Sequence, residues 1–149
     1  MRRRLIMGNW KMNGSLIANE TLLTDLAGQI AGLEGVDVAV CPAYIHLAQA
    51  VELSAGSIIK VGAQNLSHHD KGAFTGEVSG EMIHNLGCTY VLTGHSERRA
   101  LYGETNQLVA EKTLKALELG LIPVLCIGET LAERQSGQMN DVLADQMNA

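Results

Sequence analysis

The residues best able to do chemistry follow an apolar run near the middle of the chain, in Gly94-His95-Ser96-Glu97-Arg98-Arg99. The run itself, Tyr90–Thr93, is apolar or β-branched, which predicts a strand covered on both faces. Ser96 is a good N-cap, and Glu97 would lie in the first turn of a helix. His95 would then stand at the carboxyl edge of a sheet, where α/β folds place their sites. A lone histidine there is more often hydrogen-bonded scaffolding than a catalyst, so both interpretations stay open.

Acyl transfer is one chemistry that this motif could suggest. Gly94 and Ser96 lie where a hydrolase nucleophile elbow would have them, but Arg98 replaces the second glycine of that elbow. His95 and Ser96 are also chain neighbours, whereas a base approaches its nucleophile from elsewhere in the fold. The sequence therefore disfavours a serine hydrolase.

Nucleotide and metal sites are disfavoured as well. No Gly-x-Gly-x-x-Gly follows a predicted strand, and Gly72–Glu77 lacks the lysine and the spacing of a P-loop. His68, His69 and Asp70 have side chains that bind metals, but adjacent loop residues do not face one point, and no further ligand is evident. We expect neither a metal nor a cofactor.

The elements that must position His95 come from a repeated pattern of apolar run, polar break, amphipathic helix and glycine, which is typical of βα units. The predicted strands are Leu5–Met7, Val36–Cys41, Ile58–Val61, Tyr90–Leu92 and Leu121–Ile127, and the glycines before the later strands are Gly35, Gly56, Gly87 and Gly120. We expect one α/β domain over residues 1–149 with about five parallel βα units. An open doubly wound sheet and part of a closed (β/α)8 barrel both fit this pattern.

Parallel strands end at the same edge of the sheet, so the residues that follow them should gather there. Asn9 and Lys11 follow the first predicted strand, Gln64 and Asn65 the third, and His95 the fourth. Taken singly, Lys11 is a solvated charge and Asn9 a turn former. Their shared edge makes them candidate partners of His95.

Composition limits the partners. The chain has 149 residues and a formal net charge of -5, so it carries no basic surface for nucleic acid or an anionic membrane. Its three cysteines lie singly beside apolar runs, which fits a reducing compartment. The apolar run after Arg4 is too short for a membrane span or a signal-peptide core. A cytoplasmic protein is expected.

Five motifs, taken together and in order, resemble the N-terminal part of the triosephosphate isomerase family. They are Met7–Asn13, Gly62–Asn65, Gly72–Glu77, Gly94–Arg99 and Val124–Glu129. The resemblance spans nearly the whole chain and favours the TIM (β/α)8 barrel over the open sheet. It implies an isomerase that interconverts two triose phosphates through an enediol, in glycolysis and gluconeogenesis.

The resemblance also implies roles for individual residues. His95 would polarise the substrate carbonyl as a neutral imidazole, a role already known for the resembled family. Lys11 would supply a fixed positive charge near the phosphate and the developing oxyanion, and Asn9 would orient the substrate and Lys11. Glu97 would pair with Lys11 behind them, and Ser96 would begin the helix beside His95.

A long polar segment, residues 65–78, exceeds the usual βα connection. In the resembled family this loop enters a pocket of a second subunit, with Phe74 and Thr75 near its tip. A homodimer is implied. Physically, a tip that contains Phe74 should not stay in water.

A complete barrel of this kind needs about 250 residues, about 100 more than this chain has. The resemblance would place the proton-abstracting glutamate and the lid loop in that further part, so the chain is expected to be an inactive fragment of the enzyme. No acid of the chain replaces the glutamate, because Glu104, Glu111 and Glu118 are expected at helix or loop surfaces. The alternative is a non-catalytic half-barrel that serves as a binding or assembly module.

Overall fold

Five parallel strands form the framework of the protein. The structure is a computed structural model that describes residues 3–149. The strands are β1 (Arg4–Asn9), β2 (Val36–Cys41), β3 (Ile59–Ala63), β4 (Tyr90–Thr93) and β5 (Ile122–Leu125). They lie side by side in chain order in one sheet. This consecutive order is that of a (β/α)8 barrel and excludes the doubly wound alternative, whose strand order reverses at a switch point.

Helices connect the strands and follow the last one. They are α1 (Leu16–Gln29), α2 (Leu47–Leu53), α3 (Gly80–Asn85), α4 (Ser96–Tyr102), α5 (Asn106–Glu118), α6 (Leu131–Gln135) and α7 (Met139–Met147). Thr105 caps α5 by accepting the N–H of Leu108, and Gly120 follows that helix with a φ of +75°. In the described part of the chain, no helix is both long and apolar enough to cross a bilayer.

The hydrophobic core lies between the sheet and its helices. Val38, Val61 and Val91 supply it from the strands, and Leu23 and Ile83 supply it from α1 and α3. Because these side chains are at most 7% exposed, the helices are fixed against the sheet, and the strand ends that carry polar residues are held in place.

The fifth strand is shorter than the predicted Leu121–Ile127. Ladder pairing ends where Leu125 faces Thr93, the last residue of β4. Gly94 then turns the neighbouring chain away with a φ of +68°, so Ile127 has no strand to pair with. The length of an apolar run therefore overestimates the length of a strand when the neighbouring strand ends earlier.

Candidate active site

Asn9 and Lys11 are held at the carboxyl end of β1. Asn9 is the last residue of the strand, and its Oδ1 accepts the backbone N–H of Lys11 over 3.0 Å. Lys11 has a φ of +54°, and among the described residues it alone adopts positive φ without being glycine. This conformation is uncommon for a long side chain and needs enforcing contacts.

Gly94 places His95 at the start of α4. A Cβ on Gly94 would lie 2.7 Å from Val109 Cγ1, and its φ of +68° also disfavours a side chain. The following residue, His95, is the N-cap, and its Nδ1 accepts the backbone N–H of Glu97 over 3.2 Å. The prediction of Ser96 as N-cap is wrong, because the imidazole takes the capping bond and Ser96 is the first residue within the helix.

The capping bond defines the tautomer of His95. A nitrogen that accepts an N–H carries no proton, so in the neutral ring the proton is on Nε2. Nδ1 also lies 3.6 Å from Glu97 Oε2, which is longer than a charge-assisted hydrogen bond. The geometry therefore fits a neutral ring that can donate a hydrogen bond through Nε2.

Glu97 connects the two strand ends. Its Oε1 accepts a hydrogen bond from Lys11 Nζ over 2.6 Å, and both side chains are about half-exposed. That hydrogen bond is the main reason why the pKa of Glu97 is lowered, and the positive charge of Lys11 contributes further. The carboxylate thus holds the ammonium group near His95.

Removing the Lys11 ammonium should raise the pKa of Glu97. In Lys11→Met the hydrogen bond and the positive charge are both lost, so the pKa should return toward its ordinary value. An NMR titration of the glutamate carboxyl carbons measures the change. The control is Lys60→Met, an exposed lysine of β3, which should leave the pKa of Glu97 where it is. An unchanged pKa in Lys11→Met would contradict the observed pairing.

An open cleft of about 140 Å³ brings these groups together. It is lined by Asn9, Lys11, Met12, Gln64, His95, Glu97, Arg98 and Tyr102. An ammonium, an imidazole N–H and side-chain amides around one small cleft can bind an anionic, oxygen-rich molecule and stabilise negative charge that develops on its oxygen. Lys11 and His95 therefore share one site, as their positions after parallel strands predict.

Gln64 has a role that the sequence did not reveal. Its Nε2 donates to the carbonyl oxygens of Lys11 and Cys41, over 2.8 Å each. This amide, which follows β3, therefore fixes the chain after β1 and the end of β2. Its position at the predicted edge was the available signal, but the sequence could not show that its partners are backbone carbonyls.

Glu104 is buried, which corrects its predicted surface position. The residue is 6% exposed, and its Oε1 accepts hydrogen bonds from Lys112 Nζ and Arg98 Nε. Lys112 Nζ also donates to Asn65 Oδ1 over 2.9 Å. The sequence did not predict this network because its members are 47 and eight residues apart and none belongs to an apolar pattern.

The predicted dimer loop, residues 65–78, leaves the sheet edge beside this network. Phe74 is 40% exposed, and its ring stacks on His69 at 3.8 Å. His69 in turn lies 3.8 Å from His68. Thr75 is exposed next to Phe74. The loop thus presents an aromatic surface to solvent.

Comparisons with known proteins agree with this geometry. A family model described as triosephosphate isomerase matches residues 4–149. The triosephosphate isomerase of Herminiimonas arsenicoxydans is 52% identical over 149 residues, which cover 100% of this chain and 60% of that protein. The triosephosphate isomerase of Nitrosococcus oceani is 50% identical with the same coverage.

A solved structure shows the same similarity. The crystal structure of triosephosphate isomerase from Bartonella henselae superposes with a TM-score of 0.93 at 36% identity, over 99% of this chain and 61% of that one. The chain thus spans about 60% of the length of the curated relatives it matches. From the consecutive parallel strands, the shared cleft and these matches, we conclude that the chain belongs to the triosephosphate isomerase family.

Proposed function

We propose that this chain contributes the electrophilic half of a triosephosphate isomerase active site, which interconverts dihydroxyacetone phosphate and glyceraldehyde 3-phosphate. The observation that carries the proposal is the convergence of Asn9, Lys11 and His95 on one cleft in a chain of this family. The reaction moves a proton between adjacent carbons and needs no cofactor. It belongs to glycolysis and gluconeogenesis, and we place the protein in the cytoplasm.

His95 and Lys11 have complementary roles in this proposal. As a base removes the proton from the substrate carbon, negative charge develops on the carbonyl oxygen. The Nε2–H of His95 donates to that oxygen, and the ring recovers a proton from the neighbouring hydroxyl, so the proton count of the ring is restored. Lys11 stabilises the negative charge and attracts the phosphate, while Asn9 holds the backbone of Lys11.

The base itself is not assigned to any carboxylate among residues 3–149. Glu97 is bonded to Lys11, and Glu104 is buried against Lys112. Glu133 bonds to Thr130 in the capping box of α6. In the proposed enzyme, as membership of the family implies, the glutamate base and the lid come from outside these residues, and the isolated 149-residue chain would be inactive.

A homodimer through residues 65–78 completes the proposal. The exposed ring of Phe74 supports the homodimer, because burying an aromatic loop tip in an interface is favourable. Met12 and Ile45 are 95% and 83% exposed. Such side chains are suited to receive the loop of a second subunit.

The test compares the 149-residue chain with the protein expressed from its complete reading frame. An assay with dihydroxyacetone phosphate should show isomerisation by the latter. The rate of the 149-residue chain should be lower by a factor of about 10² to 10⁴ or more, because that chain lacks a general base. A reading frame that ends at Ala149, with an accumulating and inactive protein, would overturn the proposal in favour of a non-catalytic module.

A further inference from the structure

Asn19 is a buried amide at a position where α1 presents apolar residues to the core. It is 2% exposed and lies four residues before Leu23 and seven before Leu26, on the same helical face. Such a face normally packs hydrocarbon, and a buried amide is unfavourable unless it is hydrogen-bonded. Apolar packing alone therefore gives no reason for asparagine here.

The partner of Asn19 is Gln49 on α2. Asn19 Nδ2 donates to Gln49 Oε1 over 3.1 Å, and Gln49 Nε2 donates to the carbonyl oxygen of Leu16 over 2.7 Å. Both ends of the Gln49 amide are used, and both contact the first two turns of α1. We call this pair, Asn19 and Gln49, the amide clamp.

The amide clamp lies directly behind the loop that joins β1 to α1. A Cβ on Gly14 would lie 2.8 Å from Asn19 Oδ1 and 3.1 Å from His46 Cδ2, so the loop backbone packs against the clamp. Ser15 then begins the helix by accepting the N–H of Ala18 over 3.2 Å. The C-terminal end of the loop is therefore fixed by the first turns of α1.

The N-terminal end of the same loop carries Lys11 in its left-handed conformation. Gln64 holds the Lys11 carbonyl on that side. A conformation of this kind persists only when surrounding contacts over-determine it, and contacts at one end leave a short loop free to relax at the other. The amide clamp supplies the second point of attachment.

We propose that Asn19 and Gln49 are positioning residues, which fix the Lys11–Ser15 loop and thereby the place of the Lys11 ammonium in the cleft. The catalytic consequence rests on the proposed function, whereas the restraint of the loop does not. A misplacement of about 1 Å at a reacting centre can cost about 10² in rate. The clamp does not touch the cleft and acts only through Lys11.

The test is the double variant Asn19→Leu/Gln49→Met in the protein expressed from its complete reading frame. Leucine and methionine keep the branching and the chain length of asparagine and glutamine and remove both members of the hydrogen-bonded pair, so neither amide is left without its partner. Two backbone amides report on the ends of the loop: that of Lys11, which donates to Asn9 Oδ1, and that of Ala18 in the first turn of α1, which donates to the Oγ of the loop residue Ser15. Their hydrogen exchange should accelerate about tenfold or more, and kcat/KM should fall about 10- to 100-fold.

The control is Leu23→Ala, one turn further along the same face of α1. This variant weakens packing but leaves the amide clamp in place. Backbone hydrogen exchange should therefore accelerate across α1, without a larger effect at Lys11 and Ala18. Equal loop exchange in the two variants, or an unchanged loop in the double variant, would overturn the proposal. If the wild-type protein lacks isomerase activity while the double variant still frees the loop, the proposed function fails and the positioning role stands.

Discussion

Replacing His95 by glutamine should lower kcat of the proposed isomerase by about 10² to 10⁴, the usual contribution of a positioned acid–base group. Glutamine keeps a side-chain amide near the cleft but cannot donate a proton to the substrate oxygen and regain one. Because the ring is only partly buried, the fold should survive. The loss of the capping bond to Glu97 should cost about 0.5 to 2 kcal/mol of stability. Steady-state kinetics and urea unfolding of the protein expressed from its complete reading frame measure the two effects.

The matched control is His84→Gln. His84 lies in the last turn of α3, is exposed, and is not among the residues that line the cleft. The same chemical change there should leave kcat within experimental scatter. A His95→Gln enzyme as fast as the control would remove His95 from the proposed mechanism, whatever the fold.

Replacing Lys112 by methionine should destabilise the protein by about 3 to 5 kcal/mol, the cost of leaving a buried carboxylate without its buried partner. The side chains of Lys112 and Glu104 are 5% and 3% exposed. Glu104 Oε2 is already buried without a partner among the described residues, so little is left to compensate the charge. Among the described residues, only the partly exposed Arg98 would still pair with it. Urea denaturation gives the free energy of unfolding.

Two further variants make this prediction specific. Lys115→Met, on the same helix, breaks exposed pairs with Glu118 and Asp70 and should cost less than about 1 kcal/mol. The double variant Lys112→Met/Glu104→Gln removes the buried charge together with its partner and should recover part of the lost stability. A Lys112→Met loss no larger than that of Lys115→Met would show that the buried pair is unimportant.

The same network predicts how stability depends on pH. Burial is the largest single influence on the pKa of Glu104, and it raises that pKa. The hydrogen bonds and positive charges of Lys112 and Arg98 together have a larger, opposite effect, so the pKa is lowered overall. A carboxyl with a lowered folded pKa stabilises the protein above its unfolded pKa, near 4.3. That contribution is lost as the pH falls through the folded pKa. The Glu104→Gln variant should therefore show a weaker loss of stability in acid.

Most of the fold was predictable because each strand is built on a short apolar run and a glycine precedes each of the later runs. Val36–Cys41 was predicted to the residue, since both ends have clear signals. The sequence could not choose between an open sheet and a barrel from periodicity, and only the motif resemblance decided it. The predicted length of β5 was wrong because the end of β5 depends on where β4 ends. The sequence of β5 alone does not contain that information.

The sequence predicted that Asn9, Lys11 and His95 would lie close together, but it did not predict their contacts, and their catalytic roles stay predictions. His95 and Lys11 follow parallel strands, so their meeting is a consequence of topology. The capping role of His95 was missed because serine is the commoner cap, and the imidazole geometry is set by Gly94. The burial of Glu104 was missed because a charged residue in a loop is normally solvated, and its partners lie elsewhere in the chain.

The single amide of Gln64 has a mechanical consequence. It follows β3 and donates to the carbonyls of Cys41, which ends β2, and of Lys11, which follows β1. The carboxyl ends of three neighbouring strands are thus connected by the hydrogen bonds of one side chain. A thermal fluctuation that displaces one of these strand ends must strain the other two, so the backbone of Lys11 moves with the sheet.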